Sequence, residues 1–305
     1  MQAFQLRHMH QHVAAAHPEK QYLRLVDRIL RQGKREQGRN GITRVLLGET
    51  LKFSLTNNTL PLLTTKKLAW RTCLKELLWF IRGETSNTTL VKQNVHIWSD
   101  NATREFLDSR GLHKREEGDL GPVYGHQWRS FNAKYRTCDD DYRGKGVDQL
   151  GGIVEALKDP EERSSRRLIL SAWNPLQIDE MALPPCHVLS QFHVTNSNEL
   201  TCTLYQRSGD VGLGIPFNIA SYSFLTHLLA HHCGLVPKQL IHFIANAHIY
   251  DDHEQALRKQ LDNYPRAFPK LVIKNIKDNI EDYEINDMDV IGYDPHPVVK
   301  MKMRP

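Results

Sequence analysis

The stretch Val211–Pro237, VGLGIPFNIASYSFLTHLLAHHCGLVP, contains no charged side chain when histidine is neutral. Its length alone would let it cross a bilayer. Pro216 and Asn218 near its start, and His227, His231 and His232 toward its end, favour another reading: a loop followed by a helix, Asn218–Cys233, buried in a globular core. The chain is able to bury such a helix. It has 305 residues, 40 % of them hydrophobic and 25 % charged, the balance of an ordinary globular protein.

The segments around this helix mix two periodicities. Tyr22, Leu23, Val26, Ile29 and Leu30 fall on one face of a helix over Glu19–Gly33. Cys73, Leu74, Leu77, Leu78 and Ile81 do the same over Trp70–Arg82, with Gly83 as the stop. Val147–Lys158 and Asp252–Leu261 read as further helices, the first weakened by Gly151-Gly152. Arg167–Trp173, His187–Val194 and Leu200–Arg207 read as strands, the last two joined by the turn Thr195-Asn196-Ser197-Asn198. Helices and strands do not alternate regularly, which predicts an α+β fold rather than a doubly wound sheet. No repeat or linker divides the chain, and Thr137–Lys145 reads as a charged loop.

Forty Lys and Arg against thirty-five Asp and Glu give +5, spread along the chain. So mild an excess fits a local pocket for an anionic substrate at least as well as a nucleic-acid surface. The five cysteines are odd in number and not closely paired, which points to a reducing, cytoplasmic setting. Residues 1–16 read as a solvated tail without the apolar core of a signal peptide. His8, His10 and His12 alternate there, but no carboxylate or cysteine completes a metal site. Asn57, Asn87 and Asn101 begin glycosylation patterns that have no consequence without secretion.

A nucleophilic cysteine needs thiolate character and access. Cys73, Cys202 and Cys233 fall at core positions, and Cys138 precedes three aspartates that disfavour a thiolate. Cys186 remains, in Pro184-Pro185-Cys186-His187, where two prolines stiffen the backbone just before a strand. A second cluster, Gln206-Arg207-Ser208-Gly209-Asp210-Val211-Gly212-Leu213-Gly214, places Arg and Ser beside glycines. That chemistry suits a phosphate, although the glycine spacing is neither a P-loop nor a dinucleotide fingerprint and also fits an ordinary turn. Arg166-Arg167 precedes a strand, where neighbours point to opposite faces. One pocket takes both only at the strand mouth or across an interface; the plainer alternative is a surface ion pair.

Taken together, these segments resemble the folate-dependent thymidylate synthase family. The resemblance is carried by Pro184–His187, Gln206–Asp210 and Leu213–Tyr222, with Glu76–Phe80, Gly118–Gly125, Ala247–Tyr250 and Gly292–Pro297. These motifs span roughly residues 18–303. The resemblance implies one large catalytic domain over residues 17–305, with a mixed β-sheet flanked by helices and packed at a homodimer interface. It implies methylation of deoxyuridylate (dUMP) with 5,10-methylenetetrahydrofolate as cosubstrate and no metal. Cys186 is then the nucleophile, supported by His187 and Gln206. Glu76 and Tyr124 move protons, and Asn218 reads the uracil edge. Arg39, Arg207 and Ser208 hold the phosphate, joined by Arg166 and Arg167 of a second subunit. His248 and Tyr250 bind the sugar. Ile97, Trp98, Leu213, Gly214 and Phe217 pack on the folate, and Asp210 bonds its pterin.

Four departures from the family pattern stand out: Ser99 and Asp252 where Asp and Asn are usual, Asn246 where Asp is usual, and Met303-Arg304-Pro305 in place of a small apolar pair. Closure over the folate is the property they bear on. Two rival functions follow from the same residues. Deoxycytidylate hydroxymethylation calls for an acid at position 218, and Asn218 opposes it. A non-catalytic nucleic-acid binder would have no need of Cys186, Glu76, Arg207 and Asn218 together.

Overall fold

A computed structural model describes residues 16–38 and 40–304. The expected tail, except Ala16, lies outside them with its alternating histidines, and so do Arg39 and Pro305.

Seven strands form the main sheet: β1 Lys34–Gly38, β2 Gly41–Ser54, β3 Ile169–Ser171, β4 His187–Val194, β5 Glu199–Gln206, β6 Gly209–Asp210 and β7 Val236–Tyr250. Their spatial order is β1-β2-β7-β5-β4-β3, with β6 beside β7. Two further strands, β8 Lys270–Ile273 and β9 Met288–Ile291, pair as a separate antiparallel ribbon. The helices are α1 Lys20–Gln32, α2 Trp70–Ile81, α3 Asn87–Lys92, α4 Arg104–Ser109, α5 Tyr124–Ser130, α6 Gln149–Lys158, α7 Gly214–His232 and α8 Glu254–Leu261. The architecture is the single-domain α+β arrangement expected from the sequence.

All neighbours in the main sheet run antiparallel except β5 and β6, which run parallel to β7. Parallel neighbours need a crossover, and the uncharged stretch supplies it: the chain leaves β5, passes through β6, runs down α7 and returns in β7. This explains why α7 is apolar nearly all round. Ile215, Ile219, Phe224, Leu225, Leu228 and Leu229 are all inaccessible. The helix begins at Gly214, four residues before the expected start at Asn218. Pro216 lies in the first turn, where its missing N–H costs no hydrogen bond, so it does not delay the helix. Among the described residues no helix is long and apolar enough to cross a membrane.

The two faces of the sheet differ. Leu170, Phe192, Val194, Leu200, Cys202, Leu204, Leu240 and Ile244 are buried on one face. On the other, Ile169 and Tyr205 are exposed, and Tyr205 stacks on the half-buried Phe243 at 5.5 Å. Along β7 the side that carries the buried Leu240, His242 and Ile244 goes on to Asn246, His248 and Tyr250, which are only part-buried, while Ala247 and Ile249 on the reverse side are fully buried. The core face thus opens into a polar cavity at that end of the sheet.

Helix α1 is fastened from its N-cap. The Glu19 carboxylate is fully buried and accepts from the backbone N–H groups of Thr64 (2.9 Å) and Thr65 (2.8 Å) and from both threonine hydroxyls at 2.6 Å. Tyr22, one turn on, donates its hydroxyl to the Val211 carbonyl at 2.9 Å. Replacing Glu19 by Ala strands two buried N–H donors. The expected loss is roughly 2–4 kcal/mol, read as a lower denaturant midpoint at unchanged slope.

Candidate active site

Cys186 stands at the entrance to β4, and the pairing of β4 with β5 places Arg207 beside it. The Arg207 backbone N–H donates to the Cys186 carbonyl at 2.9 Å. Its guanidinium donates to the carbonyls of Pro185 (Nε, 2.8 Å) and Pro184 (Nη2, 3.0 Å) and reaches the Cys186 sulfur at 3.7 Å. It also lies over the Trp173 ring, 5.8 Å from its centroid. A rigid Pro-Pro step and one arginine thus fix the thiol's loop. The Cys186 N–H donates to the Tyr124 hydroxyl at 2.8 Å.

The sulfur faces a cavity of about 640 Å³ lined by Tyr124, His187, Gln206, Arg207, Ser208, Asp210, Gly214, Asn218, His248 and Tyr250. These residues come from α5, β4, β5, β6, α7, β7 and the loops between them. A second cavity of about 450 Å³ adjoins it, lined by Glu76, Ile97, Trp98, Leu213, Phe217, Val298, Val299 and Met303. His187, Asp210, Gly214, Asn218, Tyr250 and Arg304 line both. The candidate residues of the sequence therefore converge on two connected cavities, with three exceptions. Arg166 and Arg167 are exposed and line neither cavity of their own chain. Arg39 lies outside the described residues.

Burial sets the protonation of the polar groups. Glu76 accepts from Trp98 Nε1 at 2.7 Å, yet burial outweighs that bond and raises its carboxyl to about 7. Tyr124 is held well above the ordinary phenol value by burial and by the neighbouring Cys186. His187 stacks on Tyr124 with ring centroids 4.0 Å apart, and its Nδ1 meets the Tyr222 hydroxyl at 2.8 Å. Burial, with His242 nearby, pushes its ring down to about 3, so it stays neutral. The remaining thiols are poor nucleophiles. Burial lifts Cys202 to about 12 and Cys233 to about 11, and drives Cys73 higher still. Cys138 rises to about 11 through burial first and Asp119 second, ahead of the adjacent Asp139.

The departures singled out in the sequence gather around these cavities, joined by His253, which no motif marked. The segment ending at Arg304 walls the second cavity, and the turn after β7 clamps it. His253 Nε2 donates to the Lys302 carbonyl at 2.7 Å, and Arg304 donates to Asp252 at 2.5 Å. Two of the departures noted above are thus partners of one another. Asn246, a third, orients His248 by accepting from its Nδ1 at 3.1 Å. Ser99 has a buried hydroxyl with no partner among the described residues. Among those residues no cluster of His, Cys, Asp or Glu is arranged to hold a metal.

The Cys186 thiol, the Arg207 guanidinium and Ser208 thus share one cavity, next to a second cavity walled by Ile97, Trp98 and Phe217. The sequence profile described as "Thymidylate synthase" matches residues 20–305. Among curated relatives, "Bifunctional dihydrofolate reductase-thymidylate synthase" of Leishmania major is 52 % identical over 294 residues, 96 % of this chain and 56 % of that protein. "Thymidylate synthase 1/2" of Encephalitozoon cuniculi is 51 % identical over 290 residues, 94 % of this chain and 97 % of that protein. "Probable thymidylate synthase" of Schizosaccharomyces pombe is 52 % identical over 297 residues, 93 % of this chain and 47 % of that protein. The chain spans about half the length of the Leishmania relative. It belongs to the thymidylate synthase family.

The Glu76 carboxyl yields a test by linkage. Its folded value lies above the unfolded one, so its protonated form stabilises the fold below about pH 4.5, and that contribution is lost as the pH rises through about 7. Glu76→Gln escapes the loss. Its stability relative to wild type is expected to rise by roughly 2–3 kcal/mol between pH 4.5 and 8, measured by urea unfolding at each pH.

Proposed function

We propose that this chain converts dUMP to thymidylate, with 5,10-methylenetetrahydrofolate as cosubstrate and dihydrofolate as second product. The observation that carries the reading is the convergence of Cys186, Arg207, Ser208, Asn218, His248 and Tyr250 on one cavity, beside a second lined by Trp98, Ile97 and Phe217. A nucleotide fits the first, with its phosphate on Arg207 and Ser208 at ~1.5–3 kcal/mol per charge-assisted bond. A flat heterocycle fits the second, with Asp210 available to its polar edge.

In this reading the Cys186 sulfur bonds to C6 of the uracil, and the electron pair of the C5–C6 double bond moves toward C5, making C5 nucleophilic. Folate supplies the one-carbon unit and the hydride. Glu76, held near neutrality, exchanges protons around O4 and the cosubstrate through water. Tyr124 remains a phenol and assists loss of the C5 proton; the sulfur then departs and the double bond returns. His248 and Tyr250 bond the sugar hydroxyl, and neutral His187 supports the thiol's loop from beneath.

Arg39 is assigned to the phosphate with Arg207. Arg166 and Arg167 complete the anion site of a second copy. Their exposure in one chain supports this, as does the half-covered sheet face bearing Ile169, Tyr205 and Phe243, which a homodimer would bury. Five thiols and no disulfide suit a cytoplasmic setting.

Protein mixed with dUMP tritiated at C5 is expected to release tritium and form dihydrofolate only when methylenetetrahydrofolate is present. Cys186→Ser is expected to lose at least about a thousandfold in kcat. Asn218→Asp is expected to shift preference toward deoxycytidylate. Absence of folate-dependent release by the wild-type protein would overturn the assignment.

A further inference from the structure

An asparagine does not distinguish uracil from cytosine unaided. With its amide nitrogen toward position 4 and its oxygen toward N3 it matches uracil, and rotated by half a turn it matches cytosine. Something must fix the rotation of Asn218, and a buried chain of three side chains does so. Gln206 Nε2 lies 2.9 Å from the Ser208 carbonyl and 3.0 Å from Asn218 Oδ1, and Gln206 Oε1 lies 2.8 Å from His242 Nε2. His242 is wholly inaccessible and Gln206 nearly so.

The polarity of this chain has one consistent solution. A backbone carbonyl only accepts, so the Gln206 nitrogen must face Ser208, and the same nitrogen then donates to Asn218. The Asn218 atom facing it must be the oxygen, which turns Nδ2 away from Gln206. The Gln206 oxygen must face His242 and also only accepts, so His242 must carry its proton on Nε2. Burial holds this ring neutral, pushed down to about 3, and Nδ1 has no partner among the described residues. The opposite tautomer would set a lone pair against the Gln206 oxygen.

We propose that His242, through Gln206, is a positioning residue that locks the Asn218 amide in the orientation matching uracil and so sets discrimination against cytosine. The inference rests on the dUMP reading above. His242 touches neither ligand in that reading; it acts only through the amide chain.

The test compares His242→Leu, which removes the donor, with His242→Gln, whose amide nitrogen reaches where Nε2 stood. Dissociation constants for dUMP and deoxycytidylate are measured by titration calorimetry on the whole protein, without turnover. His242→Leu is expected to lower the dUMP-to-deoxycytidylate preference about tenfold, and His242→Gln to keep it within about threefold. Equal ratios in the two variants overturn the proposal, because a purely structural role moves them together. Nitrogen-15 spectra of histidine-labelled wild type supply a second arm that survives misfolding of either variant. They are expected to show His242 protonated at Nε2 and bare at Nδ1, and the opposite tautomer overturns the chain. A wild-type protein that binds neither nucleotide sinks the functional reading instead, leaving the tautomer to decide the chain alone.

Discussion

The arrangement of the site depends on what one arginine holds. Arg207 ties the carbonyls of Pro184 and Pro185 with its guanidinium, the Cys186 carbonyl with its backbone, and places positive charge 3.7 Å from the sulfur. The same side chain therefore shapes the thiol's loop and supplies a cation close to it. Substitution by lysine would keep the charge and lose the fork that spans two carbonyls.

The crossover brings the remaining groups to the same place. Strand β5 ends at Gln206, α7 begins at Gly214, and β7, parallel to β5, carries Asn246, His248 and Tyr250 at its far end. Cavities at the carboxyl ends of parallel strands, beside the first turn of the crossover helix, follow from this topology. The antiparallel neighbours β4 and β2 brace it from either side. The core face of β7 changes from apolar to polar without changing register, so the wall of the site is an extension of the core.

Much of this was legible in the sequence. Helices α1 and α2 and strands β4 and β5 announced themselves because each buries one face, and Pro184–His187 and Gln206–Gly214 announced the chemistry. Strands β2 and β7 did not. β7 carries Asn246, His248 and Tyr250 on its inner side because that side opens into a cavity, which destroys the alternation that marks a strand. β2 passes through Gly48 at φ +74°, a conformation outside the extended range. Helix α7 was read four residues short because proline usually signals a boundary, whereas in a first turn it is harmless. His242 and His253 are buried and bond to groups far along the chain, Gln206 and the Lys302 carbonyl, which no local pattern reveals.

The order of the strands has a bearing on biosynthesis. β7 lies between β2 and β5 at the centre of the sheet yet is the last of the main strands to be made, and Val298, Val299 and Met303 enclose a cavity whose Glu76 was made long before. A chain still threading from a ribosome holds its early half with the middle of the sheet missing and one wall of the cavity absent. Until β7 emerges, the inner edges of β2 and β5 both offer open backbone to any passing strand.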